Sequence, residues 1–143
     1  MDIRLPSLEQ WLAGPRADVR GDPVWRLPAY QNALFAADVA WPDVLLLSKH
    51  PVTAPIAGQL YRALGSVGAN LSEGYSRSSG RDRVRLYEYS LGSARESVVW
   101  YRLGLPLLGH EIVQHRQDTL ERIIRMLLIT IPRERHRNLG RDS

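Results

Sequence analysis

The chain has 143 residues, 19 Lys and Arg against 15 Asp and Glu, a net charge of +4 and no cysteine. That length suits one domain able to bury its own core, and the missing cysteines exclude disulfides, thiolate metal sites and Cys nucleophiles. No apolar run approaches the roughly 18 residues of a membrane span, and the start MDIRLPSLEQWLAG lacks the apolar core of a secretory signal, so the expected compartment is the cytoplasm.

The positive charge is nearly all arginine, with Lys49 the single lysine. Residues 1–50 carry five basic and six acidic side chains, and residues 51–143 carry fourteen and nine. A basic excess in one part of a chain fits an anionic partner such as RNA or DNA, and the planar guanidinium fork suits phosphate. Ordinary solvated helix faces are the competing reading.

In chain order, residues 1–21 read as an extension. Ser7 and Gln10 have the spacing of a capping box, and the short helix they open ends at Gly14-Pro15. A linker, RADVRGD, follows. Asp22-Pro23 has the pattern of an N-cap and first helical residue, whereas Pro28 either kinks that first long helix or moves its start to about Leu27. Its apolar stripe is Leu27, Tyr30, Leu34 and Ala37; Trp41-Pro42 disturbs it and SKHPVTAP (48–55) ends it.

The second helix is predicted over 54–76, with a seam of Ile56, Leu60, Ala63, Val67, Asn70 and Gly74. Beside it runs a row of mostly small residues, Gly58, Arg62, Gly65, Ala69 and Ser72. Each helical glycine costs about 1 kcal/mol relative to Ala, so the row calls for close packing. The third helix starts at a cap on Ser78 or Ser79 and runs to Leu103, with the seam Val84, Tyr87, Leu91, Ala94, Val98, Tyr101 and Leu105. One position over lies a mostly basic row: Arg81, Arg85, Glu88, Gly92, Arg95 and Arg102. The fourth helix is predicted over 110–131 on Val113, Leu120, Ile124, Leu127 and Ile131, with Pro132 as its stop and residues 132–143 as a basic, disordered tail. With no strong strand, the fold class is all-α, an up-down-up-down four-helix bundle over 22–131.

The sequence offers little for catalysis. HEIVQH (110–115) resembles a zincin motif with one residue too many; its histidines point roughly 140° apart on a helix, which splits a metal site. His50 and His136 fall in a loop and the tail. There is no G-x-S-x-G, and the glycines of GSVGANLSEG lack the dinucleotide-binding spacing. Most acids have an arginine at helical spacing, the mark of salt bridges rather than of a general acid. The expectation is a non-enzyme with no catalytic residue, metal or cofactor.

The run QLYRALGSVGANLSEGYSR (59–77) followed by RVRLYEYSLGSARE (83–96) resembles a bacterial four-helix-bundle protein family. It includes proteins encoded in intervening sequences of large-subunit rRNA genes and the accessory variability determinant (Avd) of diversity-generating retroelements. Gln59, Arg62, Ala63, Ser66, Val67, Asn70, Glu73, Gly74 and Arg77 carry the likeness on one helix, and Leu86, Tyr87, Ser90, Gly92, Ser93 and Glu96 on the next. It extends over about 22–131 and is specific over 59–96. Ser72 and Leu71 stand where the family usually has Ala and Ile, and Pro28 is unexpected. The resemblance implies a homopentameric barrel in Avd-like members that binds RNA or DNA and a reverse transcriptase without catalysis.

Within that motif Asn70 falls on the apolar seam, where an amide costs a few kcal/mol unless hydrogen-bonded. The expectation is a polar network of Gln59, Ser66, Asn70, Glu73, Ser90 and Ser93 fixing the register of the second and third helices, with direct ligand contact as the alternative. Arg62, Arg77, Arg81, Arg85, Arg95 and Arg102 are the candidate phosphate contacts. The alternative function is an oligomeric protein–protein scaffold.

Overall fold

A computed structural model describes residues 4–136, and among them every regular element is helical. The segment before the first long helix is ordered by local chemistry. Ser7 Oγ accepts from the Gln10 amide at 3.1 Å and Gln10 Oε1 accepts from the Ser7 amide at 2.9 Å, the expected capping box opening α1 (Leu8–Leu12). Asp22 Oδ1 accepts from the Val24 amide at 2.9 Å, but the turn it caps is a 3-10 turn, Pro23–Arg26, not the long helix. Leu27 is extended, as steric pressure from a following proline demands. Pro28 therefore opens α2 (Pro28–Val39), resolving the two starts in favour of the later one.

Trp41-Pro42 does more than disturb the pattern: it starts a separate helix, α3 (Trp41–Ser48). α4 (Ala54–Tyr75) and α5 (Gly80–Leu103) fall close to their predicted bounds, with Ser79 Oγ capping the Asp82 amide at 3.2 Å. α6 (Leu105–Leu108) is one turn, and α7 (His110–Glu134) follows. Pro132 does not stop α7, which continues past it to Glu134. Proline removes one hydrogen bond, to the carbonyl four residues back; that residue, Leu128, is exposed, so solvent can satisfy the carbonyl. The expected tail thus begins inside a helix, and residues 137–143 lie outside the described residues.

Hydrogen bonds between helices fix their directions. Ser90 Oγ donates to the Val67 carbonyl at 2.8 Å and Arg83 Nη2 to the Tyr75 carbonyl at 2.9 Å, which makes α4 and α5 antiparallel. Gln117 donates to the Val98 carbonyl at 3.4 Å and Arg83 meets Glu134 at 3.5 Å, so α5 and α7 are antiparallel too. α2 packs on both α4 and α7. Their shared core holds Leu60, Leu64, Val67, Leu71, Tyr87, Ala94, Leu120, Ile123 and Leu127, all buried. The N-terminal segment is not separate from it in space: Trp11, Ala17 and Phe35 form a second apolar cluster, and Trp11 Nε1 donates to Asp38 of α2 at 2.9 Å.

α4 is rotated from its expected orientation. Leu64 and Leu71, absent from the predicted seam, are buried, whereas Ile56 and Asn70 lie half-buried at its edge. α4 packs against α2 and α3 on one flank and α5 on the other, so its buried stripe is wider and centred elsewhere.

Candidate nucleic-acid interface

The basic row of α5 forms one exposed face. Arg81, Arg85, Glu88, Gly92, Arg95 and Arg102 are all exposed. At 1.5 Å per residue, Arg81 and Arg102 lie about 32 Å apart along the axis. The row's single acid, Glu88, is 3.5 Å from Arg135, the residue that caps the end of α7, which adds a cation at the row's flank. A side chain built at Gly92 meets nothing within 4 Å, so this face is open.

On α4, Gln59, Arg62, Ser66, Asn70, Glu73 and Arg77 recur every three or four residues and so share a stripe. That stripe borders α5. Asn70 Nδ2 donates to the Ser66 carbonyl at 2.9 Å and to Ser66 Oγ at 2.8 Å, and Ser93 Oγ of α5 donates to Ser66 Oγ at 3.0 Å. The structure therefore brings Asn70, Ser66 and Ser93 into one hydrogen-bonded line between helices. Asn70 reaches α5 only through Ser66, and it sits half-buried rather than in the interior. Ser90 makes its own buried bond to α4, apart from that line.

Gln59 and Glu73 are exposed. Glu73 pairs with Arg77 at 2.7 Å, each about half exposed. Gln59, Arg62, Ser66, Ser93 and Glu96 line an open polar groove of about 380 Å³ between α4 and α5. All six candidate phosphate-binding arginines are exposed, with Arg62 in this groove and Arg95 in another between α5 and α7.

Gly74 has a steric reason. A Cβ there lies 2.7 Å from Tyr87 Cε1, so the glycine admits the buried Tyr87 ring against α4. The small row beside the seam differs. A side chain built at Gly65 meets nothing within 4 Å, and Gly58 and Ala69 are exposed, so no helix among the described residues closes on that row.

Sequence reasoning passed over two buried arginines. Arg116 Nε donates to Asp43 Oδ2 at 2.8 Å, and the Tyr101 hydroxyl donates to the same oxygen at 2.7 Å, which joins α3, α5 and α7. Burial, with the adjacent Asp43 charge, holds the Tyr101 hydroxyl well above its ordinary range. Arg116 Nη1 also donates to the Arg4 carbonyl and to His115 Nδ1, both at 2.7 Å, while His115 Nε2 lies 2.6 Å from the Pro6 carbonyl. A carbonyl only accepts, so Nε2 carries the imidazole proton and His115 is neutral; desolvation lowers its pKa from 6.5. Arg83 Nε and Nη2 donate to the Arg77 and Tyr75 carbonyls at 3.0 and 2.9 Å, tying down the end of α4. The signal was available: Arg116 stands at seam spacing between Val113 and Leu120, where a charge needs a partner.

Among the described residues no group of three or more His, Asp or Glu is placed to hold a metal ion. His110 lies beside Arg102 and Gln114, away from the neighbours of His115.

Residues 43–128 match the family described as 23S rRNA-intervening sequence protein. The chain belongs to that family. No curated protein and no solved structure matches it. The matched stretch of this intervening-sequence family member holds all six exposed arginines, the Ser66–Asn70–Ser93 line and the Asp43–Arg116–Tyr101 centre, while α1 and α2 precede it. Among the described residues no helix is long and apolar enough to cross a membrane.

Proposed function

We propose that this chain is a non-enzymatic, self-assembling accessory protein that binds RNA or DNA through the exposed arginine face of α5. The observation that carries the reading is the face itself: four arginines on one side of a single helix, about 32 Å long, with its one acid already matched by Arg135. Guanidinium groups so spaced neutralise successive phosphates and release counterions, with little reading of bases. The shared core of α2, α4, α5 and α7, with α4–α5 and α5–α7 antiparallel, supports an up-down-up-down four-helix bundle, and the resemblance to Avd-like proteins supports a homopentameric barrel in the cytoplasm with a reverse transcriptase as a further partner. Repetition of the arginine face around such a ring adds avidity without new contacts.

The test is binding of labelled RNA and DNA of several sequences across a salt series. Tight binding at low salt that falls steeply as salt rises is expected for all of them. Replacing Arg81, Arg85 and Arg95 together by Ala weakens every sequence alike and lowers the salt slope by about one per lost phosphate contact. Undetectable binding at low salt rejects the reading.

One observation favours a second reading, an oligomeric protein scaffold. Val99 and Leu103 are more than half exposed on the same helix, and Leu128 and Ile129 are exposed on α7, so apolar surface adjoins the arginines. If these side chains are covered by a neighbouring subunit, light scattering of a Val99→Asp, Leu103→Asp variant shows a smaller assembly.

A further inference from the structure

We infer that Tyr89 of α5 is a stacking platform for an unpaired base of a single strand whose phosphates lie on the arginine face. The inference rests on the nucleic-acid reading above and deepens it, since an uncharged contact on that face selects the strandedness of the ligand. Tyr89 is 56% exposed. Among the described residues no ring or guanidinium packs on it, and its hydroxyl has no hydrogen-bond partner. A scattered exposed ring is ordinary on a protein surface; the neighbours of this one set it apart. By helical spacing Arg85 lies one turn before Tyr89 on the same side, and Gly92 one turn after it. A side chain built at Gly92 meets nothing within 4 Å, so the flank of the ring toward Arg95 is open space. Glu88 lies about 100° round the helix from Tyr89, on the side where Arg135 meets it. Ser93, one turn beyond Tyr89 on the other side, is bonded to Ser66 of α4. The ring thus stands between the arginine row and the Ser66–Asn70–Ser93 line.

The charges decide what lies beside the ring. Arg81, Arg85, Arg95 and Arg102 are exposed, and among the described residues none of their guanidiniums has an ion-pair or hydrogen-bond partner. Arg83 is matched by Glu134 and Glu88 by Arg135, which leaves Asp82 and Glu96 as the other acids of α5. The helix therefore keeps an excess of two positive charges on its exposed side. Such a face favours a polyanion, and a polyanion of nucleotides carries one base for each phosphate. Along the axis Tyr89 is about 6 Å from Arg85 and about 9 Å from Arg95. A strand whose phosphates meet both guanidiniums carries its bases past the phenol ring. In a duplex those bases are already stacked and paired, and the ring meets only backbone. In a single strand a base is free to lie on the ring, and because every base has a π face the contact has no strong sequence preference.

The experiment measures binding to the full chain by fluorescence anisotropy with three probes: a 15-nucleotide single strand, the same strand with abasic positions throughout, and a blunt duplex. The intact and abasic strands carry equal charge, so the ratio of their affinities reads base contact alone. The intact strand is expected to bind about 5- to 150-fold tighter, the range of one stacked base. Tyr89→Ala brings that ratio close to one and leaves the abasic and duplex affinities and their salt slopes unchanged. Tyr89→Phe keeps the ratio, because the ring and not the hydroxyl makes the contact. Tyr61→Ala, which removes an exposed ring outside the arginine face, keeps it too. An exposed side chain without partners is removed at little cost to folding, so the alanine variant remains a fair test. Equal binding of intact and abasic strands by the wild type, a ratio that survives Tyr89→Ala, or one lost equally in Tyr61→Ala overturns the inference while the arginine reading stands. A smaller assembly of Tyr89→Ala in light scattering makes the ring a contact between copies and also overturns it. Failure of every probe at low salt overturns both readings together.

Discussion

Asp43 and Arg116 are 73 positions apart in the chain, yet their charged groups lie 2.8 Å apart in the core. A pair like this contributes little net stability when whole, because desolvation offsets attraction, but it is costly to break. Asp43→Ala or Arg116→Ala is expected to destabilise by about 3–5 kcal/mol in urea unfolding, and the double change Asp43→Leu with Arg116→Met to recover most of that loss. Tyr101→Phe removes one charged hydrogen bond and leaves the ion pair, for a smaller cost of about 1.5–3 kcal/mol.

His115 adds a pH dependence to the same centre. It is neutral, accepts from Arg116 at Nδ1, and faces Arg116, Arg122 and Asp43 as well as the Pro6 carbonyl. Its folded pKa lies below 6.5, so the unfolded chain binds the extra proton more readily. The contribution is present in full above pH 6.5, falls as the pH drops from there through the folded pKa, and then levels off. Urea midpoints measured from pH 8 to 5 should decline for the wild type, and this component of the decline should vanish in His115→Gln.

At the scale of elements, the glycines separate two kinds of helix surface. Gly74→Ala forces a methyl against the buried Tyr87 ring and is expected to cost about 1–3 kcal/mol. Gly65→Ala and Gly92→Ala place a methyl in open space and should each stabilise the monomer by up to about 1 kcal/mol. Thermal melts of the three variants read opposite signs from one residue change. The sequence alone had marked the α4 glycines as expensive, and the close packing that compensates occurs at Gly74 and at Gly68, which lies against Leu34 and Ala33, but not at Gly58 or Gly65. Helix ends were legible where a cap is local, as at Ser7 and Ser79. They were not legible at Pro132, since whether a proline ends a helix depends on what can satisfy the carbonyl it leaves behind.

For the whole molecule, the N-terminal segment is the element whose role the chain order disguised. It reads as an appendage, but Trp11 and Ala17 bury Phe35 of α2, and the Arg4 and Pro6 carbonyls are held by Arg116 and His115 of α7. Removing residues 1–21 is expected to lower stability by about 2–4 kcal/mol, the scale of one or two uncovered large side chains, while unfolding stays cooperative because the main core lies among α2, α4, α5 and α7. Urea unfolding of the truncated chain checks both.

What the sequence determined by itself is what local backbone geometry controls: the spans of α4 and α5, the side-chain caps at Ser7 and Ser79, and the arginine face of α5, whose members share one side of a helix whatever that helix packs against. Tertiary structure alone decided how far α4 turns about its axis, and so that Leu64 and Leu71 are inside while Asn70 sits at the edge. It likewise decided that Asp43, Tyr101 and Arg116 share one buried site. Periodicity constrains neighbours within a few residues; the cost of burying a charge, and the partner that offsets it, depend on side chains that only packing brings together.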